Sequence, residues 1–211
     1  MRTKTKALVL ALCAVLLVVS TVFVTMAYLT SQDSVTNTFT VGQVNITLDE
    51  ADVKPDGKYE SDKKTRVKAN EYKLIPGHTY IKDPTIYVSE GSEDCYLFVT
   101  IKNDIANIED SANTIAAQMK NNGWKPVEGE NGVYCYCDGD GNKKVVEEKE
   151  NKILFSEFTI SGSVENKALT GYSTSADKTQ NIIEIKAYAI QADGFESKTI
   201  AEIWAAAKPT E

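Results

Sequence analysis

The 211-residue chain holds few side chains whose type and spacing could do chemistry. They are one histidine, His78, an oxygen-bearing run at Asp138, Asp140 and Asn142, and the cysteines Cys95, Cys135 and Cys137, set in an excess of carboxylates. His78 follows the turn Pro76-Gly77, and no HExxH pair exists for a zinc peptidase, which needs two histidines one helical turn apart. A serine or cysteine hydrolase would need that same histidine as its base, and no GxSxG elbow surrounds any serine. Two carboxylates are enough for glycoside hydrolysis, but any acidic protein offers them, so their presence selects nothing. Neither an enzymatic function nor a cofactor or bound metal is expected.

Asp138, Asp140 and Asn142 occupy the first, third and fifth positions of a calcium-loop pattern. The pattern then breaks, because Lys143 stands where glycine is needed and Lys149 where the bidentate glutamate is needed. A solvated hairpin turn is the expected reading. Outside a cell the three cysteines could oxidise. Residues two apart on an extended strand point the same way with Cα atoms about 6.6 Å apart, near the upper limit for a bridge. The expected disulfide therefore joins Cys95 to Cys135 or Cys137, the alternative being three reduced, buried thiols.

The N-terminus has the layout of an export signal. Arg2, Lys4 and Lys6 precede an uncharged, mostly apolar run from Ala7 to Leu29, and no acidic residue occurs before Asp33. Thr25 and Ala27 place small side chains at the two positions a signal peptidase reads, so cleavage after Ala27 is expected. Retention of the run as an anchor is the alternative. Cys13 sits too early in the run for lipidation, and Trp204 to Glu211 carry neither a second apolar span nor a wall-sorting motif. The expectation is a signal peptide at 1–27 and one secreted domain at 28–211, touching the membrane only through the uncleaved signal. Without Arg2, Lys4 and Lys6, 20 basic residues face 30 acidic ones, a formal charge of −10. Such a surface repels phosphate backbones and anionic headgroups, which argues against nucleic-acid or membrane-surface binding.

The elements that must position these residues are mostly strands. Val35, Phe39 and Val41 alternate on one phase and Val44, Ile46 and Leu48 on the other, so the phase slips at Gly42-Gln43 and one strand becomes two. Residues 51–70 read as a mobile charged loop with a basic cluster at Lys63, Lys64, Arg66 and Lys68. Strand signals follow at Leu74-Ile75 and from Tyr80 to Val88, interrupted by Asp83-Pro84. Cys95 to Ile101 is apolar at nearly every position and should be covered on both faces. Ile108, Ala112, Ile115 and Met119 predict a helix capped by Ser111 and stopped at Gly123. Val133 to Cys137 and Lys143 to Glu148 predict a hairpin, Ile153 to Ile160 and Ile182 to Gln191 two further strands, and Ser197 to Ala207 a short helix. Many short strands with one or two helices imply a mainly β, two-sheet sandwich.

Several blocks resemble a known family. Ala27-Tyr28-Leu29-Thr30 with Asp33 to Gly42 is similar to the start of proteins exported through a SipW-type signal peptidase. Lys73 to Gly77, Lys82 to Ile86, Cys95 to Val99 and Glu184 to Ala192 resemble the body and closing strand of the TasA/camelysin family. The resemblance implies a jelly-roll sandwich, secreted to the extracellular matrix or cell surface and polymerised into biofilm-matrix fibres. Each subunit would donate its N-terminal strand, residues 28–41, to the next, with Val35, Phe39 and Val41 as the buried phase. The partners implied are further copies of the chain and the signal peptidase. The alternatives are a camelysin-like cell-surface metallopeptidase, although this chain lacks the histidines that such a label would need, and a monomeric secreted binding module.

Overall fold

The computed structural model describes residues 14–15, 43–60, 65–165, 169 and 183–208. By its internal contacts the chain divides into two units, Met1–Val41 and Gly42–Glu211. Of the first only Ala14 and Val15, both helical, are described. The cleavage residues Thr25 and Ala27, the donor residues Val35, Phe39 and Val41, and the phase slip at Gly42 lie outside the described residues.

Among its described residues the second unit is mainly β, with ten strands and two short helices. In chain order these are β1 Ile46–Ala51, β2 Arg66–Val67, β3 Thr79–Ile81, β4 Thr85–Val88, β5 Cys95–Asn103, α1 Ile115–Asn121, β6 Trp124–Pro126, β7 Val133–Tyr136, β8 Asn151–Ile153, β9 Glu157–Thr159, β10 Ile183–Gln191 and α2 Ile200–Ala207. Every pairing is antiparallel. One four-stranded sheet runs β2-β1-β4-β8, a second runs β10-β5-β7-β6, and β3 pairs with β9 alone.

Alternation along β5 builds two cores at once. Cys95, Leu97 and Val99 join Ile86 and Val88 of β4, Trp124 and Phe158 in the larger cluster, so the two sheets share one interior. Tyr96 and Phe98 point the other way, into a smaller cluster closed by Ile203 and Trp204 of α2. Cys95 to Val99 are all buried, as the unbroken apolar run requires. The result is a sandwich with one helix added to its outer face.

The proline at position 84 has the expected effect. The chain leaves β3 at Lys82, and opposite it Leu154-Phe155-Ser156 separates β8 from β9, so the predicted strand from Ile153 to Ile160 is split in two. The Lys82 N–H donates to Ser156 O at 3.1 Å and the Leu154 N–H to Pro84 O at 2.9 Å, which ties the two breaks together. Both Leu154 and Phe155 can turn inward there, and both are fully buried.

Four expectations change. The helix α1 begins at Ile115 with Thr114 as its cap, the Thr114 hydroxyl accepting from the Ala117 N–H at 3.2 Å; Ser111 lies in the preceding turn. Its stop is as read: Gly123 follows the C-cap with φ +88°, and a Cβ there would lie 3.0 Å from Cys137 O. Lys143 to Glu148 forms no continuous strand: only the tip of the hairpin closes, where Lys143 bridges to Cys137 and the Lys144 N–H donates to Tyr136 O at 3.2 Å. Val146 instead bridges to Cys95 and is fully buried. Leu74-Ile75 is not a strand either, since the Tyr80 hydroxyl takes the place of a ladder, accepting from the Ile75 N–H at 2.7 Å and donating to Lys73 O at 2.6 Å. Finally, the segment read as a mobile loop contains β2 and a set of buried polar contacts wherever it is described. The second helix begins at Ile200 with a capping box between Thr199 and Glu202.

Candidate functional site

Among the described residues the longest unpaired strand edge is one side of β10. Its nine residues pair with β5 from Ile183↔Asn103 to Gln191↔Cys95, and among the described residues no strand occupies its other edge. The remaining sheet edges are strands of two or three residues. An exposed row of N–H and C=O groups of that length is a template for another strand. Glu184 and Lys186, paired at 3.2 Å, are exposed on the same face of β10 as Tyr188, which the Trp204 ring of α2 covers at 5.2 Å. Beside this edge, where β1 meets β10, lies a cleft of about 200 Å³ whose lining mixes Leu48, Pro84, Ile183 and Ile185 with the charged Asp49, Glu50, Lys68 and Lys82.

At the floor of that cleft the end of β1 carries a buried polar cluster. Glu50 and Lys82, 4% and 8% exposed, form a direct ion pair. The second oxygen of Glu50 accepts from Asn70 Nδ2 at 2.9 Å; the same nitrogen donates to Ala51 O at 2.8 Å, and Asn70 Oδ1 accepts from the Val53 N–H at 3.0 Å. Alongside, Arg66 reaches Asp49 at 2.8 Å and Asp83 at 2.7 Å, and donates to the backbone oxygens of both residues at 3.0 and 3.1 Å. Burial opposes the Arg66 charge, and its hydrogen bonds to Asp49 and Asp83 more than offset that, holding it above its ordinary pKa. Tyr72, with its hydroxyl donating to Ile81 O at 3.1 Å, is pushed well above the usual phenol range by burial and then by the negative charges of Glu50 and Asp83. The basic cluster is thus partly consumed within the fold: Arg66 by two carboxylates, and Lys68 by donation to Leu48 O at 2.6 Å.

The cysteines divide between the two cores, and this corrects the expected pairing. Cys135 is the partner of Phe98, so it points with Phe98 toward α2, whereas Cys95, three residues before Phe98, points into the inter-sheet core. A bridge from Cys95 to Cys135 or Cys137 would have to pass through the sheet. All three are free and buried. Cys135 and Cys137, the pair judged less comfortable from strand spacing, are neighbours in the smaller cluster. That contact and burial hold the Cys135 proton on, while Cys137 is drawn below its ordinary value by Cys135 and then by Lys125. Burial pushes the Cys95 thiol up to about 11.

The other sequence candidates are occupied locally. His78 Nε2 sits 2.7 Å from Asp56 O with its ring against Tyr80. Asp138 accepts from the Asn142 N–H at 2.8 Å, and the Asn142 side chain turns its nitrogen rather than its oxygen toward Asp138 at 3.4 Å, a hairpin-turn arrangement. Among the described residues no group of three or more His, Cys, Asp or Glu side chains is placed to hold a metal ion. The Glu50–Lys82–Asn70 cluster escaped sequence reading, although one signal pointed to it: Glu50 continues the inward phase of Val44, Ile46 and Leu48. No protein-family model, curated protein or solved structure matches the chain.

Proposed function

We propose that this chain is a secreted structural subunit that polymerises head to tail into extracellular fibres by N-terminal donor-strand exchange. The observation that carries the reading is the nine-residue edge of β10, unpaired among the described residues and flanked by a cleft that mixes Leu48, Ile183 and Ile185 with charged side chains. The sequence resemblance to the TasA/camelysin family supports it, and on this reading the sandwich is of the jelly-roll type. Removal of residues 1–27 by signal peptidase frees residues 28–41, whose extended length of about 48 Å exceeds the roughly 31 Å of β10. That segment adds a strand to the β10 edge of the next copy, and Val35, Phe39 and Val41 supply the side chains that cover Ile183, Ile185 and Leu48. One such contact repeated without closure makes a filament. The reading assigns no catalytic step, and export gates assembly because the uncleaved signal keeps the strand at the membrane.

Electron microscopy of the purified 28–211 protein tests it, beside a variant carrying Val35→Asp and Phe39→Asp. The parent should form filaments, and the variant should be a folded monomer, since its changes precede β1. Filaments from the variant, or no filaments from the parent at any pH and concentration, would refute the mechanism.

A further inference from the structure

The buried Glu50, Lys82 and Asn70 form more than an ion pair. One carboxylate is shared by an amine and a primary amide: Glu50 Oε2 faces Lys82 Nζ and Glu50 Oε1 accepts from Asn70 Nδ2 at 2.9 Å. Both hydrogens of the Asn70 amide nitrogen are committed, to Glu50 and to Ala51 O, so the amide is held in one orientation. Its oxygen accepts the Val53 N–H at 3.0 Å, a donor placed where negative charge would grow if the amide carbon were attacked. Glu50 and Lys82 are nearly fully buried, Asn70 is half-buried, and the Lys82 nitrogen lies 5.8 Å from the centre of the Tyr72 ring.

We propose that Lys82 and Asn70 join in an intramolecular isopeptide bond, with Glu50 as the proton carrier. The ammonium of Lys82 passes a proton to Glu50 Oε2, and the freed amine attacks Asn70 Cγ. The Nζ–Cγ bond forms while the oxyanion on Oδ1 is held by the Val53 N–H. Glu50 returns its proton to Nδ2, the Cγ–Nδ2 bond breaks, and ammonia leaves. The second proton lost by Nζ follows through the carboxylate to the departing ammonia. One amide replaces another and the ammonium charge leaves with the product, so the reaction needs no oxidant, reductant or other co-reactant. Holding the amine and the amide on the two oxygens of one carboxylate supplies the effective concentration that an unaided amine and amide lack. The bond would pin the strap after β2 to the β3–β4 junction, beside the open edge of β10, and it does not depend on polymerisation.

Intact-mass spectrometry and peptide mapping of the full-length folded protein test this. The expected result is a mass lower than the sequence mass by one ammonia, with a branched peptide joining Lys82 to Asn70. The same protein carrying Lys82→Arg, which keeps the positive charge, or Glu50→Gln should show the full mass in its soluble folded fraction. A full-mass wild type overturns the proposal. So does ammonia loss that maps to a succinimide at Asn70 with Lys82 in a linear peptide, and a branched peptide in E50Q removes Glu50 from the mechanism. The wild-type and K82R measurements decide the bond whether or not E50Q folds.

Discussion

Trp204 on α2 should tolerate phenylalanine far better than its burial suggests. The side chain is 5% exposed and packs on Phe98 at 5.5 Å and Tyr188 at 5.2 Å, yet its indole Nε1 is buried with no hydrogen-bond partner among the described residues. Trp204→Ala removes the whole ring and should cost about 3–5 kcal/mol. Trp204→Phe keeps most of the contact and deletes the orphaned donor. A cavity of a few tens of Å³ at about 24 cal/mol per Å³ costs about 1 kcal/mol, and release of an unsatisfied buried donor returns about 1–3 kcal/mol. The balance lies between neutral and about 2 kcal/mol more stable, a visible fraction of a domain stability of about 5–15 kcal/mol. Urea unfolding followed by far-ultraviolet circular dichroism measures it, with an unchanged m value as the sign that the unfolded state is the same. If Trp204→Phe costs more than about 2 kcal/mol, the indole N–H has a partner and the reasoning fails.

Gly57→Ala should destabilise the domain by about 2–4 kcal/mol, read from the same urea midpoints, because two separate penalties meet there. Its φ is +78°, and an added Cβ would lie 2.7 Å from the Tyr80 Cα, a backbone atom that cannot swing away. Stability should also fall at alkaline pH. A thiol whose folded pKa is raised stabilises the native state while protonated, so the contribution of Cys95 is complete below its unfolded value near 9 and is lost as pH rises through about 11. Tyr72, raised in the same sense, extends the loss to higher pH. Urea midpoints measured from pH 8 to about 11 should drop for the parent and drop less for Cys95→Val; identical profiles would remove Cys95 from the account.

Period and punctuation determined much of this architecture. The unbroken apolar run from Cys95 specified a strand covered on both faces, and Pro84 specified a break, because each is a property of a few consecutive residues and the backbone they share. The stop of α1 at Gly123 was legible for the same reason. What the tertiary structure decided is where competing partners go. Lys143 to Glu148 has the pattern of a hairpin strand, but β5 takes the edge of β7 from Val133 to Cys135, so only Lys143 and Lys144 pair at the hairpin tip and Val146 bridges to Cys95 instead. The side of the sheet on which a cysteine lies depends on register: the pairing of Cys135 with Phe98 put it opposite Cys95 and beside Cys137. The Glu50–Lys82–Asn70 cluster draws its members from three separate stretches of chain. The inward phase of β1 could mark Glu50 as unusual, but only the fold brings an amine and an amide to the two oxygens of its carboxylate, because a buried charge takes its partners from whatever the packing places within reach.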